Sequence, residues 1–78
     1  MEDTFARVLL RIYDKKMMNG QITFSRSGIT KEDFTNLCMN PGYVVPKERF
    51  EIICEKMALS EEEREKLLAL AGDAFGQQ

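Results

Sequence analysis

The side chains that most often carry catalytic chemistry are few in this sequence of 78 residues. It has no histidine, the usual general base at neutral pH. Most of its 13 carboxylates fall on the surfaces of predicted helices, where nothing predicts a perturbed pKa, and there is no glycine-rich phosphate loop. A chain of this length also has little room for a substrate pocket beside its core. We therefore expect that the protein is not an enzyme.

The two cysteines, Cys38 and Cys54, are the only soft metal ligands of the usual zinc-binding types. Without histidine they cannot complete the four nitrogen and sulfur ligands of a zinc site. Both fall at apolar helical positions among Phe, Leu and Ile, so we expect reduced thiols that pack as small hydrophobes. A disulfide or a reactive thiol is the alternative. We expect no metal and no other cofactor.

Composition predicts one globular domain, because hydrophobic residues make up 44% and charged residues 31% of the chain. We assign residues 1–78 to this domain, with a core over about 4–72 and a tail, 73–78, that frays or docks through Phe75. No apolar run approaches the length of a membrane span, and "MEDTFARVLLRIYDKK" does not resemble a signal peptide. We therefore expect a cytoplasmic protein that does not contact a membrane.

Apolar residues recur at spacings of three and four, which predicts an all-α fold. The expected helices are five: about 3–17, 21–27, 31–39, a helix that starts at Pro46, and 60–72. The second is the weakest, because Ile22, Thr23 and Phe24 suit a strand equally well.

Turn and capping residues set the boundaries of these helices. Gly28 suits a left-handed conformation, and Thr30 followed by Asp33 is typical of a capping box at the start of the third helix. "NPGY" at 40–43 predicts a turn. Ser60 and Glu63 predict a second capping box.

The order of these elements resembles the lambda repressor/Cro-like helix-turn-helix fold, the class of XRE-type regulators. Within it the chain is most similar to a bacterial subgroup of small, uncharacterised domains, whose third helix and turn resemble "GITKEDFTNLCMNPGYVVPKE" and whose last helix resembles "LSEEEREKLLALAG". The similarity covers about residues 5–75. It implies a compact five-helix bundle in which residues 31–39 are the recognition helix that enters the major groove of DNA.

The resemblance also implies site residues. Lys31, Glu32 and Asn36 would face base edges, where they suit guanine, cytosine and adenine respectively. The residues implied at the phosphate backbone are Gln21, Arg26, Thr35 and Lys47. Gln21 takes this role only as a substitute, because Gly20 stands where the family has a glutamine. A second departure is Phe24, which occupies a position that is usually small.

Two interpretations that do not involve DNA also fit the residues of the third helix. The triplet Lys31, Glu32 and Asp33 also fits a solvated first turn, since acids there favour the helix dipole. Phe34, Leu37 and Cys38 are expected to pack in the core whatever the function.

The charge balance is unusual for a DNA-binding domain, because the net charge is −2 and the pI is about 5.1. The excess acid lies in the last helix, so the predicted reading surface is neutral. The leading hypothesis is a small transcriptional regulator that binds double-stranded DNA as a dimer. The alternative is a helical protein interaction or adaptor module that keeps the fold without reading DNA; Met18 and the pair Tyr43 and Val44 are candidate contact residues.

Overall fold

The computed structural model describes residues 3–72, which fold into four α-helices and one 3-10 turn without a β-strand among them. The α-helices are α1 (Phe5–Met18), α2 (Lys31–Met39), α3 (Lys47–Met57) and α4 (Glu61–Ala71). The all-α prediction is confirmed. The predicted tail 73–78, including Phe75, lies outside the described residues.

The count of five helices is not confirmed, because residues 21–27 contain only the short 3-10 turn Phe24–Arg26. Two local features keep this turn short. Thr23 is extended before it and makes no side-chain capping bond. After it, the fully buried Ser27 hydroxyl donates to the Phe24 carbonyl oxygen at 2.7 Å and accepts from the Ile29 N–H at 3.1 Å, which turns the chain toward α2.

Gly28 allows the next turn to lie directly against α3. Its φ is +82°, the left-handed region that favours glycine. A Cβ atom placed there would lie 3.3 Å from the Ile52 Cγ2 atom, the Ile53 Cα atom and the Lys56 Cγ atom. The predicted left-handed conformation is therefore confirmed, and a close approach of backbone to helix is added to it.

The capping prediction is confirmed for α4 and modified for α2. Ser60 and Glu63 form a complete capping box at α4, and the Thr4 hydroxyl caps α1 by accepting from the Arg7 N–H. At α2 the Thr30 hydroxyl accepts from the Asp33 N–H at 3.0 Å. The Asp33 carboxylate does not return that bond, because it contacts other partners described below.

The core forms where α1 packs against α2 and α4, with α3 contributing its apolar stripe. Phe50 and Ile53 of α3 are fully buried, and the Phe50 ring lies 5.9 Å from the ring of Phe5. A second ring cluster joins α1 to α2: Phe34 meets Tyr13 at 5.7 Å and Phe24 at 5.6 Å between ring centroids. Phe24 thus serves as a packing residue at the position where a small residue was expected.

The burial of the α2 stripe differs from the prediction at one residue. Leu37 is buried and Phe34 is half-buried, but Cys38 is exposed. The buried face of α2 is narrower than predicted, because this helix faces the core mainly through Asp33 and Leu37. Both thiols are free, and Cys54 is half-buried on α3. Met18 is 83% exposed, as predicted.

Over residues 3–72, none of the helices combines the length and the apolar character that crossing a membrane requires.

Candidate nucleic-acid interface

A buried carboxylate in the first turn of α2 fixes the buried face of this helix. The side chain of Asp33 is only 3% exposed, and its Oδ1 atom accepts a hydrogen bond of 2.8 Å from the Tyr43 hydroxyl. Its Oδ2 atom lies 3.1 Å from the Nη1 atom of Arg49 in α3. That second contact is an ion pair without hydrogen-bond alignment. The first turns of α2 and α3 therefore meet at Asp33.

This network corrects the expectation that the triplet 31–33 is a solvated first turn, since Asp33 is buried while its neighbours Lys31 and Glu32 are exposed. The reason is the partner on α3: a buried charge is tolerated when a counterion and a hydrogen-bond donor accompany it. Sequence spacing alone could not reveal Arg49, because it lies sixteen positions away on another helix. Tyr43, predicted only as a turn cover or contact residue, is the donor.

The surroundings of Tyr43 raise the pKa of its phenol above the usual value, first through burial and then through the Asp33 carboxylate. Hydrogen bonding from the Asn36 amide and the charge of Arg49 act in the opposite direction on this pKa. The Asn36 side chain thus lies beside the Tyr43 hydroxyl, and it is half-buried.

The side chains of the other two base-reading candidates, Lys31 and Glu32, are exposed to solvent. Lys31 and Glu32 are exposed at the start of α2, where they follow the Thr30 cap. Within residues 3–72 neither forms an ion pair, which leaves both side chains available to a ligand. Lys31 and Glu32 are one cation and one anion side by side, so this corner of α2 carries no net charge.

The four residues implied at the phosphate backbone are exposed, but the side chain of one of them, Thr35, already makes a hydrogen bond within α2. Arg26 ends the 3-10 turn, Lys47 begins α3, and Gln21 follows α1; all three side chains are solvent-accessible. The Thr35 hydroxyl donates to the Lys31 carbonyl oxygen at 2.9 Å, so a phosphate contact would have to replace that bond. The Asp33–Arg49 pair brings the first turn of α3, with Lys47, to the side of the first turn of α2.

Within the described residues, no three carboxylate or thiol side chains come together as a metal site would require. Among these residues the arrangement presents polar donors and acceptors on one short helix, backed by a buried ion pair.

Comparison with known proteins adds no relative: no family model, no curated protein and no solved structure matches the chain. The resemblance to repressor-like domains therefore stays a prediction from the sequence.

Proposed function

We propose that the protein is a small DNA-binding transcriptional regulator, or the DNA-binding module of one, that presents residues 31–39 to the major groove. The observation that carries this proposal is the division of α2 into two faces. Asp33 and Leu37 are buried, and Lys31, Glu32 and Thr35 are exposed. A helix whose buried face is fixed by the core and whose first turns expose polar side chains suits base recognition, because base contacts require side chains held in register. The last turn of α2 exposes Cys38 and Met39 instead.

The polar groups on α2 suit three kinds of base edge. The Lys31 ammonium donates to guanine O6 or N7, and the Glu32 carboxylate accepts from cytosine N4. The Asn36 amide suits a bidentate contact with adenine. Together they would read two or three adjacent base pairs, which is a short site for one monomer.

Weak phosphate neutralisation explains why the proposal includes a dimer. Arg26 and Lys47 are the exposed cations nearest in sequence to the two ends of the reading segment, and the whole chain has a net charge of −2. Few phosphate contacts give modest affinity that salt readily weakens. Two half-site contacts made by one dimer would combine their affinities.

A specific observation favours a second candidate, an adaptor that keeps a helical bundle and binds protein. A helix-turn-helix motif contains two helices, yet the residues before α2 form only the 3-10 turn Phe24–Arg26. Apolar side chains are also exposed near the ends of α1 and α2, with Met18 at 83% and Met39 at 78%. Such side chains suit adaptable protein contacts.

Selection from random duplex DNA, followed by binding titrations with variants, separates these functions. If α2 reads bases, Asn36→Ala loses about 1–3 kcal/mol at one base position and leaves the others unchanged. Lys47→Ala weakens binding to every sequence alike, and it lowers the slope of log K against log salt concentration by about one. Lys66→Ala on α4 is the matched control and leaves binding unchanged. Failure to select any sequence would favour the adaptor. A selected sequence whose binding is weakened equally at every base position by Asn36→Ala and by Lys47→Ala would mean that Asn36 does not read bases.

A further inference from the structure

A groove with a volume of about 460 Å³ runs between α1 and α2. Its apolar lining comes from Leu10 and Tyr13 of α1 and from the edge of the Phe34 ring of α2. Tyr13 is buried and Leu10 and Phe34 are half-buried, so the groove has a firm base supported by the core. The exposed Cys38 thiol lies in its wall.

Basic side chains border this groove along α1. Arg7 and Arg11 both line it, and Lys15 continues the row at the next four-residue step. All three are exposed. Positions four apart are neighbours on one helical face, and eight residues of helix span about 12 Å. This gives a linear row of positive charge on a chain that is acidic overall.

The cations of this row are only partly neutralised within residues 3–72. Arg11 pairs with Asp3 at 3.4 Å, and both side chains are well exposed. Arg7 pairs with no carboxylate of the described residues. Among the described residues that line the groove, Asp14 is the acidic one. A ligand that brings carboxylates to Arg7 and Arg11 would therefore gain charge complementarity.

We propose that this groove binds an acidic amphipathic segment of a partner protein. An apolar side chain of the segment packs on Leu10 and Phe34, and carboxylates at three- or four-residue spacing meet Arg7 and Arg11. A helix laid along α1 matches both the apolar lining and the row of cations. Phe34 and Cys38 place the groove beside the polar face of α2, but the proposal rests on Arg7, Arg11 and the apolar lining and does not depend on DNA binding.

The apolar lining distinguishes this ligand from the phosphate backbone of DNA. A phosphate chain would meet the cations but would leave the apolar side chains of Leu10 and Phe34 without a partner. A single small carboxylate would use one end of a row about 12 Å long. An acidic peptide with apolar side chains satisfies both parts of the surface.

The experiment is selection from a displayed library of random-sequence peptides on the full chain. The enriched peptides are expected to carry aspartate or glutamate at three- or four-residue spacing together with Leu or an aromatic residue. The double variant Arg7→Gln/Arg11→Gln should bind the most enriched peptide about five- to tenfold more weakly, since exposed ion pairs each contribute less than ~1 kcal/mol. Lys56→Gln, which removes an exposed cation on α3 outside the groove, should leave the affinity for the peptide unchanged.

Cys38 provides a direct readout of location. The enriched peptide should slow alkylation of Cys38 by iodoacetamide and leave alkylation of Cys54 unchanged, as measured by mass spectrometry of both sites. Circular dichroism verifies that the double variant is folded. The proposal is overturned if no peptide is enriched, if the enriched peptides lack acidic residues, or if Cys38 stays unprotected. It is also overturned if the double variant weakens binding of random duplex DNA and not of the peptide.

Discussion

Removing the charge of Asp33 should destabilise the domain even though the change keeps the shape of the side chain. Asp33→Asn retains an acceptor oxygen for the Tyr43 hydroxyl, now 2.8 Å away, and removes the ion pair to Arg49. The Arg49 side chain is 36% exposed, so its freed guanidinium can turn toward water. A charged hydrogen-bond acceptor contributes about 1 kcal/mol more than a neutral one. The lost attraction between the carboxylate and the helix dipole adds a smaller amount. We therefore expect the free energy of unfolding to fall by about 1–2 kcal/mol in total.

Removing the other partner should cost more. Arg49→Met leaves the Asp33 carboxylate buried, with the Tyr43 hydroxyl as its remaining partner, and a buried charge without a counterion is strongly unfavourable. We expect a loss of about 2–4 kcal/mol, below the range for fully buried pairs because Arg49 is partly solvated. In the double variant, the cost should fall well below the sum of the two single losses.

Urea unfolding followed by circular dichroism measures these differences, since the chain has no tryptophan for fluorescence. In a domain of this size, 1 kcal/mol corresponds to a shift of about 4–8 °C in Tm. Asp3→Asn is the matched control: it breaks ion pairs of the same type with Arg11 and Lys66, but at an exposed site, and should leave the unfolding midpoint nearly unchanged. The reasoning is refuted if Arg49→Met costs less than Asp33→Asn, or if the two losses simply add.

Three further predictions concern single positions. Ala58 has φ +51° directly after α3, and Ala58→Gly should raise the free energy of unfolding by about 0.5–1 kcal/mol in urea titrations; no gain would mean that this conformation is not strained. Gly28→Ala should lower it by about 2 kcal/mol, because a side chain adds left-handed strain to contacts of 3.3 Å with α3, and an unchanged midpoint would exclude that close approach. Iodoacetamide should modify the exposed Cys38 before Cys54. Burial raises the pKa of the Cys54 thiol, so its thiolate forms only at higher pH, and equal rates for both cysteines would contradict their different burial.

Local chemistry explains why the helix boundaries could be predicted from the sequence. The capping residues Thr30 and Ser60 act through hydrogen bonds to N–H groups three positions away, and Gly28 acts through its own backbone. Such features need no knowledge of the rest of the fold. The helix predicted at 21–27 is not confirmed for the opposite reason: the short turn there ends at the buried Ser27 hydroxyl, and the burial of a serine depends on tertiary packing.

The candidate site was predictable in position and not in its internal contacts. Lys31 and Glu32 are exposed at the start of α2, as a recognition helix requires. The sequence could not show that Asp33 turns inward, because its partner Arg49 belongs to another helix. Cys38 illustrates the opposite error: its spacing fits the apolar stripe, but α2 packs through a narrower face and leaves the thiol exposed.

The proposed function depends most directly on whether the protein binds DNA at all. A titration of labelled random-sequence duplex, at low and at moderate salt, measures this without knowledge of an operator. We predict binding with Kd between about 10⁻⁴ and 10⁻⁶ M at low salt, and weaker binding as salt rises. No binding at ~10⁻⁴ M protein in low salt would contradict the account, because even binders without sequence preference reach that level.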